Sequence, residues 1–401
     1  MEIDIGRGKK GRRAYGFDDI AIVPSRRTRD PDDIDISWNL GPYRFELPLV
    51  ASAMDGVVSP DTAVLVHELG GLGVLNLEGI WARFENAEER LEQIAAAPKH
   101  EATRLMQEIY AEPVKSELIG QRIAEIKERG AVACGSLTPQ KVREHYEVAV
   151  EAGIDILVIQ GTVISAEHVS TTVEPLNLKE FIAEVPVPTV VGGCASYSTG
   201  LHLMRTGAVG VLVGVGPGAA CTTRGVLGIG VPQATAIADV AAARSQHMLE
   251  TGEYVNVIAD GGMRTGGDVS KAIACGADSV MVGSPLARAR EAPGRGFHWG
   301  MATFHPSLPR GTRVTTRQDG TMEEIVLGPA QENDGTFNLM GALRTSMATC
   351  GYEDIRSFQR AEVMVAPALM SEGKKLQNEQ AVGMGSNGRA AVSAGVGVAD
   401  D

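Results

Sequence analysis

The sequence predicts a (β/α)8 barrel of the phosphate-binding type, and three observations predict it. Eight short apolar runs, at 47–54, 71–75, 131–135, 156–160, 188–192, 210–215, 255–259 and 279–282, are rich in β-branched and aliphatic residues. Most lack polar alternation, as parallel strands buried on both faces do. Longer amphipathic stretches lie between them, at 139–152, 198–206, 231–250 and 267–274, and several stop at a glycine (Gly153, Gly207, Gly276), a common helix terminator. Glycine-rich loops follow the sixth, seventh and eighth runs, where barrel enzymes carry catalytic and phosphate-binding groups. A doubly wound sheet is the alternative for such alternation. It calls for a GxGxxG fingerprint after an early strand, and none is placed there.

Some segments exceed a minimal barrel. Between 76 and 130 there is too much chain for one helix; 85–97 and 100–129 read as two charged helices, so 77–130 is expected to be a short helical insertion after strand 2. After strand 8, 287–329 is rich in Gly, Pro, Thr and Arg with few periodic apolar positions, and is expected to be a functional flap or disordered. From 383 onward the chain is mostly Gly, Ala, Ser and Val, an expected disordered tail, which leaves 1–382 as one catalytic domain.

With 401 residues, 44% of them hydrophobic, the chain can bury a large core. A formal net charge of -13 argues against nucleic acid as a partner, since phosphate backbones favour basic surfaces. The one basic run, Arg7 to Arg13, reads as a solvated N-terminal arm. No apolar stretch reaches bilayer length and no charged-then-apolar leader opens the chain, so no membrane association is expected. Cys134, Cys194, Cys221, Cys275 and Cys350 are scattered, form no CxxC pair and are odd in number; a reducing cytoplasm is the expected setting.

The most informative stretch is Gly214-Val215-Gly216-Pro217-Gly218-Ala219-Ala220-Cys221-Thr222-Thr223-Arg224. Cys221 has a plain reading as a small buried hydrophobe. Against that stand the glycines before it and the hydroxyls and cation after it, a setting suited to a reactive thiolate. Asp260-Gly261-Gly262 and Gly283-Ser284 close the next two runs; they read either as plain turns or as a phosphate cradle of backbone N–H groups and a helix start. Both loops come in the right order and precede helices, which favours the cradle, with Asp260 placed to accept sugar hydroxyls. Gly216 and Gly218 bring carbonyls near the loop axis, where a monovalent cation could be held. Among the histidines, His298 and His305 alone fall in the loop after strand 8.

Taken together these residues resemble the inosine monophosphate dehydrogenase/GMP reductase family along most of the chain. The resemblance runs through Tyr15-Gly16-Phe17-Asp18-Asp19-Ile20, Pro48 to Asp55, the cysteine loop with Gly230-Val231-Pro232-Gln233, Asp260-Gly261-Gly262, Met281-Val282-Gly283-Ser284 and Gly300-Met301-Ala302. In dehydrogenases of the family a pair of CBS modules follows strand 2. Here the short 77–130 segment stands in their place, so the chain looks like a compact branch without them. The resemblance implies NAD-dependent oxidation of IMP to XMP, with Cys221 attacking C2 of the purine to form a covalent thioimidate and Thr223 helping to activate water. It implies nucleotide contacts at Ser52, Met54, Asp260, Gly262, Gly283, Ser284, His298, Met301 and Ala302. NAD is expected against Gln160, Gly161, Thr162, Gly214 and Gly216, and potassium at the carbonyls of Gly216, Gly218 and Cys221. A homo-oligomer, tetramer or octamer, is expected.

The chain departs from the family at several places. A phosphate-side serine is Ala219, a phosphate-side tyrosine is His298, and an asparagine after strand 5 is Cys194. The aspartate that meets the NAD ribose is replaced in Gln160-Gly161-Thr162, and the flap carries no Arg-Tyr pair, whose arginine is the hydrolytic base. His305 or Arg310 is the expected substitute, with Thr223, Glu323 or Glu324 as further candidates. GMP reductase, which deaminates GMP with NADPH, is the nearest alternative activity. A flavin-binding barrel and a non-catalytic purine-nucleotide-binding regulator are alternatives of other classes.

Overall fold

The computed structural model describes residues 2–164, 175–300, 313–368 and 371–380. Eight strands, β1 (Leu49–Ala51), β2 (Leu72–Asn76), β3 (Cys134–Leu137), β4 (Ile156–Gln160), β5 (Thr189–Cys194), β6 (Gly210–Val213), β7 (Asn256–Asp260) and β8 (Ser279–Val282), form a closed barrel in chain order. Every neighbouring pair is parallel, including the closing pair in which Met281 of β8 faces Val50 of β1. This is the (β/α)8 barrel that the apolar runs predict.

Parallel strands need a crossover of a dozen or more residues, and the helices supply it. Their starts carry local signals: Ser59 caps Pro60–Glu68, Ser196 caps Tyr197–Met204, and Thr265 with Asp268 makes a capping box on Gly266–Ala274. Gly153, Gly207 and Gly276 take left-handed φ values of 85°, 91° and 116° just past their helices, as the glycine stops predict. Inside the barrel, Val50, Leu72, Val74, Ile156, Val158, Val190, Leu212, Ile258 and Met281 pack on one another. Trp38, Leu40 and Phe45 of the antiparallel pair Trp38–Leu40/Tyr43–Phe45 join this inner core, so the barrel is filled rather than hollow.

Three expectations change. The stretch 100–129 is not one helix: Lys99–Tyr110 and Ser116–Glu128 are separate, because Pro113 interrupts the ladder between them. Ser116–Glu128 packs against Pro60–Glu68 and Val142–Glu151 as the barrel's own second helix, which narrows the extra material to Ile80–Ala82, Ala87–Ala96 and Lys99–Tyr110. The basic N-terminal run is solvated as expected, but it is folded into an exposed hairpin, Glu2–Gly6 with Lys9–Arg12. Within 287–329, Phe297–His298 pairs with Val314–Thr315 and a capped helix spans Met322–Val326, so its described parts are folded. Residues 383–401, expected to be disordered, lie outside the described residues.

The start of β8 is tied down by one buried ion pair. Asp278 accepts from Arg244 Nη1 at 2.7 Å, from the Val257 N–H at 2.8 Å, and from Gln359 Nε2 at 2.9 Å. Both charged side chains are about nine-tenths or more enclosed. Removing one partner leaves the other charge buried, at a cost of about 3–5 kcal/mol. Asp278→Ala is therefore expected to lower the urea midpoint strongly; a variant as stable as wild type would contradict this reading of the pair.

Candidate active site

The C-terminal ends of the strands open into a cavity of about 920 Å³, within the range of ligand sites. Ser52, Met54, Gln160, Gly161, Thr162, Gly214, Gly216, Gly218, Cys221, Thr223, Asp260, Gly262, Gly283, Ser284 and His298 all line it. Residues chosen from six separate stretches of sequence thus meet around one space. Met301, Ala302, His305 and Arg310 lie outside the described residues.

The cysteine loop owes its position to close packing. A Cβ on Gly214 would lie 2.2 Å from the Asp260 carbonyl oxygen, so only glycine lets the ends of β6 and β7 meet. Gly216 turns the chain at φ 76°, and the Cys221 N–H donates to the Gly218 carbonyl at 3.0 Å. That turn sets Cys221 Sγ 3.1 Å from Thr223 Oγ1. Cys221 is partly exposed and Thr223 is buried beneath it. Arg224 does not face the thiol as a partner cation. Its guanidinium donates to the carbonyls of Val231 at 2.7 Å and Val215 at 3.4 Å, bracing the loop. The other cysteines are of a different kind: burial pushes the Cys194 and Cys275 thiols up to about 12, and Cys134 and Cys350 upward too.

At the end of β7, burial pushes the Asp260 carboxyl up to about 7, while a hydrogen bond from Gln160 Nε2 at 3.3 Å pulls it the other way. Gln160 Oε1 in turn accepts from Ser136 Oγ at 3.5 Å. Across the cavity, Ser284 Oγ and His298 Nε2 share a 2.7 Å hydrogen bond. Burial pushes the His298 imidazole down to about 4, so the ring is neutral at pH 7. Among the described residues its Nδ1 has no hydrogen-bond partner. Gly283 passes so close to Met54 that a Cβ would lie 2.7 Å from its sulfur.

The helix starts expected to face a phosphate are otherwise engaged. Asp268 accepts the N–H groups of Arg264 at 2.9 Å and Thr265 at 3.2 Å, so a carboxylate already occupies the start of Gly266–Ala274. After β8 the chain makes only the three-residue turn Leu286–Arg288. Glu324 is also committed, accepting the Thr321 N–H at 2.8 Å in a capping box.

Sequence reasoning misses several lining groups. Gln233, fully enclosed, donates to the Val213 carbonyl at 2.7 Å and the Asp260 carbonyl at 3.1 Å, stitching β6 to β7. Its signal is a glutamine directly after Pro232 at a helix start, where an amide side chain can turn back to the strand ends. Thr138, held by Glu78 at 2.8 Å and 3.0 Å, and Phe17 also line the cavity.

The Asp260 carboxyl titrates higher in the folded chain than its ordinary value of 3.8. A raised acid stabilises the fold while it is protonated, and that contribution is lost as pH rises from about 4 through about 7. The ligand-free Asp260→Asn variant is expected to melt above wild type near about pH 8, with the gap closing toward about pH 4. A gap that does not vary with pH would contradict the enclosure of this carboxyl.

Comparison with known proteins agrees with this geometry. The IMP dehydrogenase/GMP reductase domain model matches residues 14–375. An oxidoreductase of Mycolicibacterium smegmatis is 47% identical over 90% of this chain and 99% of its own length. An inosine-5'-monophosphate dehydrogenase of Methanocaldococcus jannaschii is 26% identical over 90% of this chain and 94% of its own length. The crystal structure of an IMP dehydrogenase/GMP reductase-like protein from Corynebacterium glutamicum superposes with a TM-score of 0.87 at 45% identity, covering 91% of this chain and 97% of that one. With the barrel, the cysteine loop and the family match in agreement, this chain belongs to the IMP dehydrogenase/GMP reductase family of oxidoreductases, as a compact member with short helices where CBS modules would stand.

Proposed function

We propose that this protein oxidises IMP to XMP with NAD, through a covalent bond between Cys221 and the purine. The observation that carries the proposal is the Cys221–Thr223 pair, 3.1 Å apart on a loop packed directly over Asp260. In this reading the Cys221 thiolate adds to C2 of the hypoxanthine ring, turning a planar carbon tetrahedral. Bound NAD supplies a nicotinamide ring that accepts hydride from that carbon. The product on Cys221 is a thioimidate; water adds at C2, the carbon–sulfur bond breaks, and XMP leaves as the thiol is restored. Thr223, beside the sulfur, orients the water.

Ionised Asp260 accepts two ribose hydroxyls, and Ser284 with neutral His298 receives the phosphate end. Gln160, Gly161 and Thr162 line the side of the cavity left for the dinucleotide. Gly216, Gly218 and Cys221 would offer backbone carbonyls to a monovalent cation such as potassium. The Gly218 carbonyl accepts one hydrogen bond and keeps a second lone pair for it.

The flap sequence favours one rival reading. It holds no Arg-Tyr pair, and a GMP reductase, which needs no water to release a nucleotide from the thiol, does not require that base. His305 and Arg310 are the bases proposed for hydrolysis if the chain is a dehydrogenase.

Turnover of IMP with NAD and potassium, followed as NADH and XMP, separates these readings when run beside GMP with NADPH. Cys221→Ala is expected to lose at least about 1,000-fold in turnover while still binding IMP, and Thr223→Val about 10–100-fold at the hydrolytic step. Ammonia from GMP and no XMP from IMP would replace the dehydrogenase by the reductase.

A further inference from the structure

The helices that stand where CBS modules would be reach the cavity wall. Three contacts join them to the hairpin Phe297–His298/Val314–Thr315, whose first strand carries His298 into the cavity. Just past the incoming strand, the buried Trp299 indole donates to Tyr110 Oη at 2.7 Å, and the Tyr110 hydroxyl donates to Asp55 Oδ2. Asp55, just past β1, also accepts the Ile80 N–H at 3.1 Å. Just before the outgoing strand, Arg313 Nη1 donates to the carbonyls of Ile94 and, at 3.2 Å, Ala95. These belong to the last turn of Ala87–Ala96, where unpaired carbonyls and the helix dipole favour a cation. The same guanidinium lies over the Phe297 ring at 4.1 Å, gripping both strands at once. Just before the hairpin, Arg295 pairs with Glu92 at 2.7 Å, an exposed contact of little strength.

We propose that this insertion is a clamp for the cavity wall: Tyr110 and the carbonyls of Ile94 and Ala95 hold the hairpin by Trp299 and Arg313, and so set where His298 meets Ser284. Tyr110 and Arg313 are positioning residues, acting on the ligand through the His298 strand. The buried Asp55–Tyr110–Trp299 chain runs from the end of a barrel strand, through the insertion, to the residue after His298. A hydroxyl is required there, because phenylalanine would leave both a buried carboxylate and a buried indole N–H short of a partner.

The kinetic part of the clamp rests on the nucleotide reading of the cavity; its structural part does not. The test uses full-length Tyr110→Phe and Arg313→Met, with hydrogen exchange over 297–300 and 313–316, calorimetric titration with IMP, and alkylation of Cys221 by iodoacetamide in ligand-free protein. Exchange is expected to quicken in both strands and IMP affinity to fall about tenfold, as a small misplacement of a binding group does, with Cys221 alkylation unchanged. Wild-type exchange and wild-type affinity beside a lowered melting temperature would overturn the clamp, leaving ordinary packing. If wild type binds no IMP, the nucleotide reading alone fails and exchange decides the clamp. If Tyr110→Phe does not fold, Arg313→Met gives the same two readouts.

Discussion

The site depends on how closely the ends of β6 and β7 approach one another. At Gly214 the backbone lies against the Asp260 carbonyl with no room for a side chain, and Gln233 bonds both strand ends from beneath. That contact puts the loop bearing the thiol directly over the loop bearing the carboxylate. Everything after it follows: the Gly216 turn, the Cys221–Gly218 hydrogen bond, and the short distance from Cys221 to Thr223. Arg224 then locks the far side of the loop to backbone carbonyls, so the thiol sits on a braced element.

The departures from the family pattern fit one another. An aspartate at position 160 would set a second carboxylate near that of Asp260, each raising the other's pKa. Gln160 instead donates to Asp260 and links the side of the cavity proposed for the dinucleotide to the side proposed for the ribose. Across the cavity His298 is buried, neutral and bonded to Ser284, so that wall carries no fixed positive charge from this pair. Among the described residues most polar groups of the site are matched to one another, and Nδ1 of His298 and Oε1 of Gln233 are left over.

The barrel is legible in the sequence because each strand is buried on both faces and each helix carries its own start or stop. Val211, Leu212 and Val213 admit no other reading once Gly207 ends the helix before them. The site is legible where chemistry and backbone demands coincide, as at Cys221 behind its glycines and at Asp260 before Gly261 and Gly262. It is not legible where a side chain acts through tertiary neighbours. Arg224 looks like a partner for the thiol, and only folding shows its charge turned onto Val215 and Val231. Asp268 looks like one more polar residue after a glycine loop, yet it fills the helix start expected for phosphate. Tyr110, some 190 positions from its partner Trp299, carries no local signal at all.

The central claim, that Cys221 forms a bond to the purine, is tested most directly by trapping that bond. Acid quenching of the protein during turnover with IMP and NAD, followed by mass spectrometry of the peptide containing Cys221, is predicted to show the nucleotide attached to that cysteine. The adduct should be absent without NAD and absent in Cys221→Ala. Product formation with an unmodified Cys221 peptide at every quench time, or a nucleotide attached to another residue, would contradict the mechanism.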